Sequence, residues 1–362
     1  MGKSLRVLMI TQKVDLDDDV LGFTHTWVNK LAERVAHLHV LALSVGRHEL
    51  RDNATLYSMG KERGAGRWQR LVNFTRVVAP LVLRRRVDVV FVHMVPLYAI
   101  LAAPWTKLAR VPLVMWYTHK HVGLTLRVAH ALVDKVVTAS AESFRLPSDK
   151  VVVTGHGIET ELFKPAEGPR PERPFTVLSV GRISPIKDYE TLIAAADILI
   201  NERGLRHMRF VVVGDAGTPE QVAYRQGLLA EVRRRGLADY FEFVGAVPHR
   251  EVVRYYQQAD LFVSASRTGS LDKAGLEAMA CNLPLVTSNE ALQPLLGDQK
   301  GILTFNPGDA SECADRIQTV LDLPASSRYR LGSVLATRAV ADYNLDSLMN
   351  RLVLAISKAQ YR

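Results

Sequence analysis

Twice along this chain, short β-rich apolar runs alternate with stretches of helical periodicity. In the first half the runs are residues 5–10, 39–43, 87–93, 113–117, 135–139 and 150–154, with helical patterns at 26–35 and 97–108. In the second half they are 176–180, 209–213, 241–244, 261–264, 285–287 and 301–304, with helical patterns at 190–200 and 219–235. Strand–helix alternation of this kind predicts a parallel, doubly wound sheet in each half. Between the halves lies Phe163-Lys-Pro-Ala-Glu-Gly-Pro-Arg-Pro-Glu-Arg-Pro174, whose four prolines and one glycine mark a linker. A length of 362 residues exceeds what one hydrophobic core usually organises. The expected fold is therefore α/β, with two Rossmann-like domains at 1–164 and 172–340. A closing helical pattern at 345–360 lets the tail, 343–362, pack back onto the first domain.

Composition narrows the class. The chain is 48% hydrophobic and 23% charged, as a globular protein is. Its two cysteines, Cys281 and Cys313, give neither a disulfide framework nor a metal spacing, which suits a reducing, cytoplasmic compartment. No apolar run reaches the length of a membrane span. The first residues read as strand one rather than as a signal peptide.

The net charge of +9 is concentrated. Residues 60–86 hold eight basic residues, Lys61, Arg63, Arg67, Arg70, Arg76, Arg84, Arg85 and Arg86, against one acid, Glu62. Trp68, Leu71, Val72, Phe74, Val77, Val78, Leu81 and Val82 are interleaved with them, at spacings that allow a basic amphipathic helix ending or breaking near Pro80. Such a helix suits an anionic membrane surface or an acidic, lipid-linked acceptor. It equally suits a solvated face packing its apolar side on the domain. No nucleic-acid motif accompanies the charge.

The loops after the strands carry the chemistry. Gly181 lets the backbone turn closely after the run 176–180. Arg182 and Lys187 follow five residues apart, a spacing that lets both reach one diphosphate, Arg as a fork and Lys as a point charge. Further on, a polar loop containing Ser270, Leu271, Asp272 and Lys273 feeds a short helix at 276–280. Free N–H groups near Gly275 and Leu276 would there face an anion, and Glu277, in the first turn, would accept a hydrogen bond from a sugar hydroxyl.

Glu277-Ala-Met-Ala-Cys-Asn-Leu-Pro284 resembles the end of the signature of GT-B retaining glycosyltransferases of family 4. Gly181-Arg-Ile-Ser-Pro-Ile-Lys187 resembles the family's Gly-Arg-x-x-x-x-Lys motif. Val211-Val-Val-Gly-Asp-Ala-Gly217 looks like its Gly-rich turn below the nucleotide, and Phe241-Glu-Phe-Val-Gly-Ala-Val-Pro-His249 like the segment framing the base. The resemblance implies two Rossmann-like domains facing across a cleft. It implies a nucleotide-sugar donor on the second domain, and a saccharide or lipid-linked acceptor on the first, in glycan or cell-envelope biosynthesis. Arg182 and Lys187 would stabilise the leaving diphosphate, Glu277 would hold the donor ribose, and His119 in Trp116-Tyr-Thr-His-Lys-His121 would approach the donor sugar. Gly22, Gly181, Gly214, Val244, Gly245, Ser270, Leu271, Asp272, Lys273, Gly275 and Leu276 would contact the donor. His93 is a weaker candidate, and His156 suits a structural turn.

Two departures from the family pattern stand out. Its first acid, eight residues before Glu277, is replaced by Gly269, and Lys187 is followed by Asp188 where glycine is usual. Asp15-Leu-Asp-Asp-Asp19 resembles the Asp-x-Asp pairs that hold divalent cations in another glycosyltransferase class, but those occur on a single-domain fold. Here the acids precede Gly22 and a helix, where they would cap it or contact the acceptor. No metal and no cofactor is therefore expected. An epimerase on the same frame and a non-catalytic sugar-nucleotide-binding protein remain alternatives.

Overall fold

The computed structural model of the chain describes residues 4–119, 121–168, 173–267 and 271–359. It divides into two compact units, Met1–Gly157 with Leu345–Arg362, and Ile158–Asn344.

The first unit runs β1 (Arg6–Val14), α1 (Phe23–Ala32), β2 (His37–Val45), β3 (Ala54–Ser58), α2 (Arg67–Leu83), β4 (Val89–His93), α3 (Pro96–Ala109), β5 (Leu113–Trp116), α4 (Leu124–Leu132), β6 (Lys135–Thr138) and β7 (Val151–Val153). The strands form one sheet in the order β3-β2-β1-β4-β5-β6-β7, every pair parallel. Both faces are covered, which is why β4 is buried along its whole length and reads as a continuous Val/Phe run. β3 escaped the sequence reading because it is a half-buried edge strand, Ala-Thr-Leu-Tyr-Ser, without an apolar run. α2 continues three residues past Pro80. In the last turn the missing proline N–H deprives only the Arg76 carbonyl of an intrahelical partner.

The second unit runs β8 (Phe175–Val180), α5 (Tyr189–Asp197), β9 (Met208–Val213), α6 (Pro219–Arg234), β10 (Phe241–Gly245), α7 (Val253–Gln258), β11 (Leu261–Ser264), α8 (Lys273–Ala280), β12 (Leu285–Thr287), α9 (Gln293–Leu296), α10 (Lys300–Leu303), α11 (Ala310–Asp322) and α12 (Ala325–Tyr343). Its sheet is parallel, in the order β10-β9-β8-β11-β12. The expected strand at 301–304 is instead the helical turn α10, and only Thr304 bridges to Thr287 of β12. Ile158 and Phe163 are fully buried in this unit's core, so residues 158–164 belong here rather than with the first domain.

The chain then returns to the first unit as α13 (Leu345–Ser357). Leu345, Leu348, Met349, Leu352, Val353 and Ile356 form an apolar stripe at helical spacing, buried against the same sheet face as Val7, Met9 and Trp27. Asp346 fixes the approach by ion pairs to Lys30 (3.0 Å) of α1 and to Arg34 (2.6 Å) just past its end.

In each sheet the strand order reverses direction once, between β1 and β4 in the first unit and between β8 and β11 in the second. In open parallel sheets the crevice at the carboxyl ends of the strands flanking such a reversal is the usual ligand site.

Candidate functional site

At the second unit's reversal, two glycines hold the loops together. Gly181 (φ +150°) ends β8 and Gly214 (φ +132°) ends β9. A Cβ on Gly214 would lie 2.1 Å from the Gly181 carbonyl oxygen, and one on Gly181 would lie 2.8 Å from Lys187 Cε. The Gly181 amide donates to the Val213 carbonyl at 2.9 Å, and the Gly214 amide to the Gly245 carbonyl at 2.9 Å. Gly245, at φ +87°, closes the irregular end of β10 just after the half-buried Val244. Gly214→Ala combines strain at positive φ with a backbone clash, and should lower stability by about 2–4 kcal/mol in urea denaturation. A midpoint equal to the parent's would show that the close approach is not required.

The loop so anchored carries the two basic residues. Arg182 is exposed, and its side chain has no hydrogen bond or ion pair among the described residues. Lys187 Nζ instead sits 3.2 and 3.1 Å from the two Asp272 oxygens, and Ser264 Oγ at the end of β11 donates to Asp272 Oδ2 at 2.8 Å. Lys187 is thus already ion-paired, which spacing did not reveal. Asp188 neither points to solvent nor opposes these cations. It occupies the left-handed region (φ +52°) and is buried, accepting from Thr191 Oγ1 (2.8 Å) and Arg267 (Nε 2.8 Å, Nη2 2.7 Å). Asp188 therefore takes up the backbone conformation that glycine would supply, and Arg267, unnoticed in the sequence, balances its charge.

Glu277 lies deeper. α8 begins at Lys273, three residues earlier than expected, so Glu277 is in its second turn. The Leu276 amide is committed to the Asp272 carbonyl at 3.3 Å, whereas Gly275 belongs to the first turn, packed on Leu292. The Glu277 carboxylate is 5% exposed and meets His249 Nε2 (2.9 Å), the Tyr256 hydroxyl (3.1 Å) and Lys273 Nζ (3.8 Å). Burial raises its pKa, but His249, Lys273 and the Tyr256 hydrogen bond outweigh that and hold it below the ordinary value. Burial likewise lowers the pKa of Lys273, against the pull of Glu277. His249 ends the segment read as framing the base and Tyr256 sits on α7; neither was read as a partner of Glu277, because sequence does not show which side chains converge on it. Leu271 is buried beside this cluster's loop, and Ser270, like Gly269, lies outside the described residues.

In the first unit, Gly22 caps α1 without a side-chain bond. Asp18 Oδ1 accepts from the Val20 and Leu21 amides (2.9 and 2.5 Å), one turn ahead of the helix. Three of the four acids of 15–19 meet cations: Lys13 meets Asp15 (3.0 Å) and Asp18 (2.6 Å), and Arg47 meets Asp17 (2.7 Å). His119 is exposed in the loop after β5, and His156 packs edge-on against Trp116.

Residues 174–322 match the family model described as Glycosyl transferases group 1. The match lies within the second unit and includes Arg182, Lys187 and Glu277. A D-inositol 3-phosphate glycosyltransferase from Thermobispora bispora is 31% identical over 173 residues, covering 45% of this chain and 40% of that protein. The chain spans about two-fifths to half the length of such curated relatives. HepE from Anabaena, solved with UDP and glucose, has a TM-score of 0.76 at 18% identity, covering 98% of this chain and 99% of its own. Sucrose-phosphate synthase from Thermosynechococcus elongatus has the same TM-score and identity, covering 98% of each. These likenesses show the fold, the two-domain α/β architecture of GT-B glycosyltransferases. In the described residues no helix is long and apolar enough to cross a membrane.

Proposed function

We propose that this protein is a retaining, metal-independent glycosyltransferase. It would move a sugar from a nucleotide-sugar donor on the second unit to a saccharide or lipid-linked acceptor on the first unit. The observation that carries the reading is the strand-order reversal of the second unit. There an open Arg182 and a positioned Lys187 share one glycine-anchored loop, and Lys187 pairs with Asp272, the residue just ahead of the helix that carries a buried, ionised Glu277. HepE was solved with UDP and glucose, and the Thermobispora relative is named for transfer to inositol 3-phosphate; both support the donor and reaction class.

In this reading the leaving diphosphate gathers negative charge as the glycosidic bond breaks, and fixed donors facing that charge lower the barrier. Arg182 supplies a free guanidinium. Lys187, held in place by Asp272, supplies the ammonium protons that Asp272 leaves over. The Gly275 amide in the first turn of α8 adds a backbone donor. Glu277 keeps acceptor capacity beyond its His249 and Tyr256 bonds and takes the ribose hydroxyls. Two cations beside a helix start make a divalent ion unnecessary, so turnover should survive EDTA. Loss on chelation, restored by Mg²⁺ or Mn²⁺, would contradict this and return attention to Asp15–Asp19.

The test of the reaction is incubation with a panel of nucleotide sugars, with and without saccharide acceptors. Release of nucleoside diphosphate that depends on an acceptor supports transfer. An isomerised donor would mark an epimerase, and binding without turnover a sugar-nucleotide-binding protein.

The same reading places the protein in the cytoplasm, where both buried thiols, Cys281 and Cys313, stay reduced, with 60–86 against an anionic membrane. α2 buries Phe74, Val78, Leu81 and Val82 but leaves Trp68 (81% exposed), Val72 and Leu83 outward. Among the described residues, only Arg63 of the eight basic residues here has an ion pair, with Glu62. Each cation near such a surface contributes about 1 kcal/mol. The protein should pellet with anionic but not neutral vesicles at low salt, and less with Arg84, Arg85 and Arg86 changed to Ser. Indifference to anionic vesicles at low salt would remove the membrane from the account.

A further inference from the structure

We propose that His249 is a positioning residue that makes the donor site select a ribonucleoside diphosphate over its 2′-deoxy counterpart. It acts through Glu277, whose carboxylate it holds in one orientation. This rests on the glycosyltransferase reading, in which Glu277 takes the ribose hydroxyls, and supplies the reason that carboxylate fits a vicinal diol.

His249 opens the short helical turn after β10, and Tyr256 lies on α7. They bind different oxygens of Glu277. His249 Nε2 lies 2.9 Å from Oε1, and the Tyr256 hydroxyl donates to Oε2 at 3.1 Å. The carboxylate is ionised and only accepts, so Nε2 carries an imidazole proton. One aromatic ring orients both donors. Phe163, fully buried, meets the His249 ring edge-on (centroids 5.2 Å apart, planes at 61°) and the Tyr256 ring likewise (5.8 Å, 78°). Turning either donor away would displace Phe163 from the second unit's close-packed core.

Two bonds to different oxygens fix the plane of the carboxylate, which a single bond would leave free to rotate. Each oxygen then keeps a lone pair, because a carboxylate offers roughly four acceptor sites and these donors fill one on each oxygen. Lys273 Nζ stands 3.8 Å from Oε1, beyond hydrogen-bond distance, and adds charge without filling a site. What remains is a pair of acceptors at fixed separation, which matches two adjacent hydroxyls rather than one. The side chains of Lys273 and His249 are 22% and 15% exposed against 5% for Glu277, so the carboxylate is approached past these two. Without His249, Oε1 has only the Lys273 ammonium beside it. The carboxylate then turns about its Tyr256 bond toward that charge, and the paired acceptors are lost.

Calorimetric titration of the intact protein tests this, with UDP, ADP and GDP each set beside dUDP, dADP and dGDP. Arg182 and Lys187 meet the diphosphate of both members of a pair alike, so the affinity ratio isolates the sugar contact. The parent should bind its best ribonucleotide at least about tenfold more tightly than the 2′-deoxy form. His249→Phe fills the ring's place against Phe163 but donates nothing, and should shrink that ratio by about fivefold or more. His249→Gln returns an N–H donor and should restore the ratio to within about twofold of the parent's. Should His249→Phe fail to fold, His249→Asn, whose amide stops at the place of Nδ1, should shrink the ratio instead. A merely structural His249 would lower the urea midpoint of the variants and leave the ratio where it was. That result would overturn the proposal, as would a parent that binds both forms equally or a Gln variant that behaves like the Phe one. A parent that binds none of the diphosphates would overturn the glycosyltransferase reading, and the proposal with it.

Discussion

Glu277→Ala should destabilise the second unit by about 3–5 kcal/mol, because it removes one partner of a buried charge cluster. Lys273 Nζ, the Tyr256 hydroxyl and His249 Nε2 all converge on this carboxylate, which is 5% exposed. Without it, an ammonium whose pKa burial already lowers has no counter-charge at 3.8 Å. Glu277→Gln keeps the shape and an acceptor for Tyr256, and should cost less. The pH dependence has a definite sign. The folded-state pKa lies below the ordinary 4.5, so the stabilisation is complete above that value and fades as pH falls through the lowered one. The gap between parent and Glu277→Ala should therefore close on the acid side. Urea denaturation by circular dichroism across pH reads both effects. An unchanged midpoint at neutral pH would show that the cluster contributes nothing.

Arg182→Ala and Lys187→Ala should each lower turnover by roughly tenfold or more, from the loss of about 1.5–3 kcal/mol of charge-assisted contact to a developing diphosphate charge. The two should differ in their side effects. Arg182 is exposed and has no ion pair or side-chain hydrogen bond among the described residues, so its removal should leave stability untouched. Lys187→Ala leaves Asp272, 8% exposed, with Ser264 as its remaining side-chain partner among the described residues, and should also cost some stability. Asp272→Asn separates the two roles. It retains a side chain at that position but removes the charge that positions Lys187, and should weaken diphosphate binding less than Lys187→Ala does. Turnover unchanged in both the Arg182 and Lys187 variants would remove this loop from the site.

The alternation of apolar runs was legible because strands buried on both faces carry continuous Val, Ile, Leu and Phe, and eleven of the twelve strands overlap runs read from the sequence or extend them by a few residues. The exceptions have physical reasons. β3 is a half-buried edge strand with no apolar run. The run at 301–304 folds as a helical turn, because a short apolar run alone does not distinguish a strand from a helix. α12 buries Leu331, Leu335 and Ala339 at helical spacing within an otherwise polar stretch, and its signal is correspondingly faint. At the site, Gly181, Arg182, Lys187 and Glu277 were visible as motif residues on loops after strands. What spacing does not encode is which partner each side chain finds. The Lys187–Asp272 pair spans 85 residues, the Arg267–Asp188 clasp 79, and the His249–Glu277 bond 28.

The most direct measurement of the central claim is calorimetric titration of the intact protein with nucleosides and their diphosphates, using the uridine, adenosine and guanosine series in parallel. The account expects one base to bind, its diphosphate at least about tenfold more tightly than the nucleoside, with that difference largely lost in the Arg182→Ala, Lys187→Ala double variant. A diphosphate bound no better than its nucleoside, or bound equally by parent and double variant, would contradict it.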